Sequence, residues 1–201
     1  MLLYSTPTCI YSHSCRIVLY EKDVDHQVRY IESAEDAEIL AEFNPYGDTP
    51  TLVDRDLVLY SAQVINEYLD ERLPHPPLMP VDPVARGKAR LLVMRLHRDW
   101  FSLLVDIEEG DRGAANRARQ SIRDGLISIS PVFANQPYML GEEFSLVDCA
   151  LVPLLWRLPA LKVELPRQAK PLTEYADRQF QRKSFRLSLS EREQEMRAAA
   201  A

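Results

Sequence analysis

The sequence has few cysteines and no long hydrophobic run. Its three cysteines are an odd number without framework spacing, which excludes a disulfide-stapled scaffold and favours reduced thiols. The longest apolar run, Cys149 to Trp156, has eight residues, whereas a helix that crosses a bilayer needs roughly 20. Neither a basic leader nor a long apolar leader follows Met1, so no signal peptide is expected. These absences predict a cytoplasmic protein that does not cross a membrane.

Basic residues are also fewer than acidic residues. The chain has 24 Lys and Arg against 30 Asp and Glu, a formal net charge of -6. Because binding a phosphate backbone needs a concentrated basic face, direct nucleic-acid recognition is not expected. The four histidines share no ligand spacing with the cysteines, so we expect no metal site. With 46% hydrophobic and 27% charged residues, the chain has the composition of an ordinary globular protein.

Residues 1–72 have the pattern of short strands alternating with amphipathic helices. The strand candidates are residues 2–5, 28–31, 51–53 and 57–60, and the helix candidates are residues 12–22, 35–43 and 62–72. A strand-helix-strand start implies a parallel pair with a right-handed crossover, and the short polar connection at residues 54–56 favours an antiparallel hairpin. The order β-α-β-α-β-β-α predicts a thioredoxin-like domain over residues 1–72.

Residues 73–83 are rich in proline, with five in eleven residues. Each proline lacks a backbone N–H and restricts the residue before it, so this density excludes a helix or a central strand. The composition predicts a stiff extended linker between two domains.

Residues 84–201 have helical periodicity throughout, which predicts an all-helical second domain. Helices are expected from about Val84, over residues 115–133, from Ser145, and over about residues 171–182. Ser145 and Asp148 have capping-box spacing before an apolar run, so we assign both a structural role at a buried helix start. Ser190 and Glu193 have the same spacing and predict a short final helix.

Three local features suggest the kind of fold. Cys9 lies between the first strand and the first helix, whose N-terminus favours a thiolate. Pro50 precedes the third strand, and in thioredoxin-like domains this proline is cis, which gives it a structural role and exposes the backbone of Thr49 to a peptide-like ligand. The capping box at Ser145 lies in the helical half. Together they resemble the cytosolic glutathione transferase fold, which implies an α+β N-terminal thioredoxin-like domain followed by an all-α C-terminal domain.

Longer motifs narrow the resemblance. They occupy residues 11–13 with 16–19, then 50–55, 67–72, 74–80, 83–86, 144–149 and 155–159. In this order they resemble the stringent starvation protein A family, whose members are glutathione-transferase-like homodimers that bind bacterial RNA polymerase and alter promoter use during stress. The resemblance implies a non-catalytic transcription regulator that contacts RNA polymerase holoenzyme, with the choice between its sigma factor and its core left open.

The residues that would bind glutathione are incomplete. Glutathione-using relatives carry Glu-Ser or Gln-Ser at the start of the third helix, where this chain has Ser61-Ala62. Members of the stringent starvation family often keep such a pair. Its loss here removes charge-assisted bonds worth roughly 1.5 to 3 kcal/mol each. We therefore expect no cofactor, and we interpret Cys9, Thr49, Pro50 and Ser61 as a vestigial glutathione site.

Cys9 leaves an enzymatic alternative open. It stands where glutaredoxins and omega-type transferases place a nucleophilic cysteine, in a Cys-x-x-Ser arrangement without a resolving thiol. A glutathione-dependent thiol transferase or lyase would use it, with Thr49 and Pro50 holding the glutathione backbone. A third reading is a scaffold that pairs with a different regulator, because the sequence does not distinguish a homodimer from a heterodimer.

The partner-binding candidates are Pro74, His75, Pro76 and Pro77. Stiff residues on a turn present side chains to solvent at little entropic cost. Residues that merely fix the angle between two domains would look the same in the sequence. The family resemblance favours the first interpretation and implies that this segment contacts polymerase.

Overall fold

The computed structural model describes residues 1–200 and divides the chain into two compact units. The first unit consists of Met1–Pro77 together with Lys183–Glu195. The second consists of Leu78–Arg182 together with residues 196–200. The division between Pro77 and Leu78 therefore falls inside the predicted linker of residues 73–83.

The first unit is built on a four-stranded sheet with the order β2-β1-β3-β4. The strands are β1 (Leu2–Ser5), β2 (Gln27–Tyr30), β3 (Thr51–Asp54) and β4 (Leu57–Tyr60). β1 pairs in parallel with β2 and antiparallel with β3, which pairs antiparallel with β4. The helices are α1 (Ile10–Glu21), α2 (Ala34–Phe43) and α3 (Ala62–Arg72). The predicted connectivity is confirmed, and bounds differ by at most two residues.

The core of the first unit lies along α1. Ile17, Val18 and Leu19 are each at most 1% exposed, and α1 packs against both α3 and β1. These consecutive apolar residues cover more than one side of the helix, as expected for a helix that is buried on several faces.

The second unit is helical, as predicted. Its helices are α4 (Pro83–Asp99), α5 (Leu104–Glu108), α6 (Arg112–Ile129), α7 (Val132–Asn135), α8 (Leu146–Arg157) and α9 (Lys170–Phe180). The single helix predicted over residues 115–133 is instead α6 and α7, which are separated at Ser130 and Pro131. Proline cannot donate the next helical hydrogen bond, so it favours a break there. The short helix α5 was not predicted.

The C-terminal residues differ from the sequence-based domain assignment. Two further helices, α10 (Lys183–Ser188) and α11 (Glu191–Ala198), follow α9, and residues 183–195 belong to the first unit. The helical periodicity predicted that all of residues 84–201 belong to the helical domain. The physical reason is burial: α10 packs on α1, and its Phe185 is 1% exposed with its ring 5.3 Å from the His13 ring.

Two helical glycines make a matched pair for testing the packing of the second unit. A Cβ on Gly87 of α4 would meet nothing within 4 Å, whereas a Cβ on Gly125 of α6 would lie 2.4 Å from Trp100 Nε1. Gly87→Ala is expected to stabilise the protein by about 0.5–1 kcal/mol, because alanine loses less backbone entropy in a helix. Gly125→Ala is expected to destabilise it by about 1–3 kcal/mol through overpacking. Urea denaturation measures both, and equal stabilisation would contradict the close approach of Trp100.

Candidate functional site

Cys9 is the N-cap residue of α1. Its Sγ accepts a hydrogen bond from the Ser12 N–H at 3.4 Å. The same thiol donates to the Thr49 carbonyl oxygen at 3.9 Å. The side chain is half-buried. Pro7 and Thr8 lie in the loop after β1. Cys9 follows them and caps the first turn of α1, so the helix begins at the next residue. The thiol therefore stands at a helix N-terminus, as the sequence predicted.

Thr49 and Pro50 form the other side of this thiol site. The Thr49–Pro50 peptide bond is cis, as expected from the thioredoxin-like pattern. Thr49 Oγ1 accepts a hydrogen bond from the Thr6 N–H at 3.2 Å and lies 2.8 Å from Thr6 Oγ1. The structure thus brings Cys9 and Thr49 together, and the loop after β1 holds both.

Ser61 is less well connected to this site. It has φ 72°, is exposed, and makes no side-chain cap on α3. Within residues 1–200 no hydrogen bond joins its side chain to Cys9 or Thr49. The next residue, Ala62, is buried and has no polar group to offer. The first turn of α3 therefore offers no carboxylate beside Ser61.

Two titratable groups interact with Cys9, and both are poorly suited to ionise. Burial raises the pKa of the Tyr11 hydroxyl, and a negative charge on Cys9 raises it further. Burial also raises the pKa of Cys15, which is fully buried. Cys149 is buried in α8. Cys9 is therefore the one thiol among the described residues with partial access to solvent.

The proline-rich segment is exposed at Pro74, His75, Pro76 and Pro77. The His75–Pro76 peptide bond is cis. The next two residues, Leu78 and Met79, are buried at 2% and 6% exposure. The Leu78 carbonyl accepts a hydrogen bond from the Leu146 N–H at 2.8 Å within the second unit.

A buried ion pair lies beneath this exposed segment in the first unit. Lys22 Nζ donates to Asp70 Oδ1 at 2.7 Å and to the Pro76 carbonyl oxygen at 2.5 Å. Lys22 and Asp70 are each 6% exposed. No local sequence pattern shows this pair, because the two residues are 48 positions apart and neither belongs to a recognisable motif.

A second buried cluster was also missed. Arg16 Nη2 binds Glu193 Oε2 at 2.6 Å, and Arg16 also donates from Nη1 to Ser5 Oγ at 2.5 Å and from Nε to the Ser188 carbonyl at 2.8 Å. His13 Nδ1 lies 3.2 Å from Glu193 Oε1, and the side chains of all three ionisable residues are at most 1% exposed. His13 is therefore buried together with Arg16 and Glu193.

The sequence held two partial signals for this cluster. Ser190 and Glu193 form the predicted capping box: the Glu193 N–H donates to Ser190 Oγ at 3.1 Å, and the Ser190 N–H donates to Glu193 Oε2 at 2.9 Å. Arg16 stands between Cys15 and Ile17 in a largely apolar helix, which is unusual for a solvated charge. The pairing of Arg16 with Glu193 spans 177 residues, so no local pattern could show it.

The predicted capping box at Ser145 is confirmed in the second unit. Asp148 Oδ2 accepts hydrogen bonds from the Ser145 N–H at 3.0 Å and from Ser145 Oγ at 2.7 Å. Asp148 Oδ1 accepts from the Met139 N–H at 3.0 Å and from the Tyr175 hydroxyl at 2.7 Å. Burial raises the pKa of the Asp148 carboxyl, and these donors oppose that rise. The network supports a structural role for both residues.

Residues 1–200 contain neither a metal-binding cluster nor a membrane-spanning helix. No group of three or more His, Cys, Asp or Glu side chains in this part of the chain could hold a metal ion. No helix there is long and apolar enough to cross a membrane.

Comparison with known proteins identifies the class of fold. Residues 3–77 match the family model for the glutathione S-transferase N-terminal domain, and residues 92–183 match the model for the C-terminal domain. Glutathione transferase Omega 3C from Trametes versicolor aligns with a TM-score of 0.83 at 24% identity, covering 94% of this chain and 89% of that chain. The chain therefore has the glutathione S-transferase fold.

Sequence relatives narrow the assignment. The chain is 50% identical over 198 residues to a stringent starvation protein A homolog of Coxiella burnetii, covering 98% of this chain and 95% of the relative. It is 48% identical over 190 residues to a stringent starvation protein A homolog of Pasteurella multocida, covering 94% and 90%. The chain belongs to the stringent starvation protein A family.

Proposed function

We propose that this protein is a cytoplasmic, non-catalytic transcription regulator of the bacterial stress and starvation response. As a homodimer, it binds RNA polymerase holoenzyme through the surface of Pro74, His75, Pro76 and Pro77. The observation that carries this proposal is the exposure of all four residues in a chain of this family. The family resemblance supplies the choice of polymerase as the partner.

The chemistry of the segment suits protein recognition. Proline has its φ angle fixed before binding, so ordering three prolines and one histidine at an interface costs little conformational entropy. The prolines supply apolar contact area, and the exposed His75 imidazole supplies a hydrogen-bonding group. Such a surface can form a specific contact without any catalytic group.

The thiol site supports the non-catalytic part of the proposal. The backbone features that a glutathione peptide would use, the cis Thr49–Pro50 bond and the Thr49 carbonyl, are retained. At the start of α3, however, Ser61 and Ala62 replace the pair that would bind the γ-glutamyl group. Losing charge-assisted bonds of roughly 1.5–3 kcal/mol each lowers affinity by orders of magnitude.

The direct test is binding of purified bacterial RNA polymerase holoenzyme to wild type and to the triple variant Pro74→Ala/His75→Ala/Pro76→Ala. The triple variant is expected to bind about 30-fold more weakly or worse, as for truncation of an interface hot spot. Pro131→Ala is the matched control, because it removes an exposed proline of the second unit and should bind like wild type. Light scattering of the same samples checks that each is a homodimer, and circular dichroism checks that each is folded.

Unchanged binding by a folded triple variant would show that the polymerase contact lies elsewhere. Glutathione added at millimolar concentration is expected to leave binding unchanged. A heterodimer formed in preference to the homodimer would favour the scaffold reading.

A second candidate function is thiol transfer by Cys9. It is favoured by one observation, the half-buried thiol at a helix N-terminus 3.9 Å from the carbonyl of Thr49. This function would follow if wild type failed to bind polymerase and showed glutathione-dependent thiol transfer that Cys9→Ser abolished.

A further inference from the structure

The exposed segment Pro74-His75-Pro76-Pro77 has an unusual backbone. Proline has no N–H, so His75 supplies the one backbone donor of these four residues. A segment of this kind cannot be fixed by a ladder of its own N–H donors. Hydrogen bonds can fix it mainly through its carbonyl oxygens, which accept from donors elsewhere in the protein.

Lys22 provides such a donor. It is the C-cap residue of α1, and its side chain is fully buried beneath the segment. Its Nζ lies 2.5 Å from the Pro76 carbonyl oxygen and 2.7 Å from Asp70 Oδ1. The ammonium therefore joins the end of α1, the last part of α3 and the backbone of the exposed segment at one point.

Stability alone does not explain this arrangement. Removing an ammonium and a carboxylate from water is costly, and replacing a buried ion pair by apolar side chains of similar volume is often neutral or stabilising. An apolar pair, however, could not hydrogen-bond the Pro76 carbonyl. An ammonium has three N–H donors in a tetrahedral arrangement, so it can bind the Asp70 carboxylate and the carbonyl together.

We infer that Lys22, oriented by Asp70, is a positioning residue for the surface of Pro74, His75, Pro76 and Pro77. It fixes the Pro76 carbonyl and thereby holds the neighbouring His75 side chain in the orientation that a partner binds. This inference rests on the proposed function of the segment as a docking surface. Without the ammonium the segment samples other conformations, and the apparent affinity falls by the fraction of molecules that remain competent to bind.

The test uses the full chain with the double variant Lys22→Met/Asp70→Leu. The single variant Lys22→Met leaves a buried carboxylate unpaired, so removal of both charges is the better choice for a folded protein. Ile65→Val is the control: Ile65 is a fully buried residue of α3, and this change reduces packing without removing a donor from Pro76. Thermal unfolding and circular dichroism confirm that both variants are folded.

Two readouts decide the inference. The first is the backbone amide resonance of His75 in an NMR spectrum, which reports directly on the segment. The second is the affinity for purified RNA polymerase holoenzyme. The double variant is expected to shift the His75 resonance. It is also expected to bind polymerase about tenfold more weakly, because a tenfold loss corresponds to about a tenth of the molecules keeping the conformation that binds. Ile65→Val is expected to resemble wild type in both readouts.

An unchanged His75 resonance in the double variant would overturn the inference whatever the polymerase result. A shifted resonance with unchanged affinity would overturn it as well, because the orientation would then not matter for docking. If wild type itself does not bind polymerase, the proposed function fails, and the His75 resonance still decides whether Lys22 positions the segment.

Discussion

Replacing Glu193 by alanine is expected to lower the free energy of unfolding by about 3–5 kcal/mol, the range for breaking a buried ion pair by removing one partner. The Glu193 carboxylate is fully buried and binds Arg16 at 2.6 Å, His13 at 3.2 Å and the Ser190 N–H at 2.9 Å. Its loss leaves the Arg16 guanidinium buried without its carboxylate and removes one half of the capping box of α11.

The effect should be concentrated in the C-terminal residues 183–195. They are held on the first unit by the Arg16 cluster and by a hydrogen bond from Ser190 Oγ to the Pro7 carbonyl at 2.7 Å. We expect faster tryptic cleavage at Lys183 and Arg192 in Glu193→Ala, together with a lower urea midpoint. Both can be measured on the same preparation.

Two further variants separate the possible causes. Glu191→Ala removes an exposed carboxylate from the same helix and should change stability little. Arg16→Met/Glu193→Leu removes both charges and should recover much of the lost stability, because no uncompensated charge remains. If Glu193→Ala were as stable as Glu191→Ala, the buried cluster would not hold the C-terminal residues in place.

The second large effect is expected at Asp148. Asp148→Ala should lower the free energy of unfolding by about 3–5 kcal/mol, because several buried donors lose their acceptor at about 1–3 kcal/mol each and relaxation recovers part of the loss. Those donors are the Met139 and Ser145 N–H groups and the Ser145 and Tyr175 hydroxyls. The carboxylate thus fixes the start of α8, the loop before it and α9 together.

A graded pair of variants tests this account. Asp148→Asn keeps one acceptor oxygen in nearly the same place and should cost clearly less than Asp148→Ala in urea denaturation. Asp177→Ala, on the exposed side of α9, is the control and should be close to neutral. Equal losses for the alanine and asparagine variants would mean that shape, rather than the acceptor oxygens, determines the stability here.

The elements of the first unit were largely predictable from the sequence. β1, β4 and α3 begin and end at the predicted residues. Their signals are local: a short apolar run next to a turn, or a helical pattern next to a cap, acts over a few residues. Both capping boxes were predictable for the same reason, whereas the cis bond before Pro50 was expected from the resemblance to thioredoxin-like domains.

The candidate site was predictable only in part. Cys9, Thr49 and Pro50 lie together as expected, whereas Ser61 has no hydrogen bond to Cys9 or Thr49 among the described residues. The exposure of Pro74 to Pro77 agrees with their composition. A role in polymerase binding stays a prediction for these residues, because exposure does not identify a partner.

The sequence by itself determined most of the secondary structure, the family and the residues of the exposed proline segment. The tertiary structure decided where the charges between distant segments are neutralised, at Lys22 with Asp70 and at Arg16 with Glu193. It also decided that residues 183–195 pack on the first unit. The physical reason is that secondary structure follows from interactions between near neighbours in the chain, whereas a buried charge is stable only beside a partner that folding brings from far away.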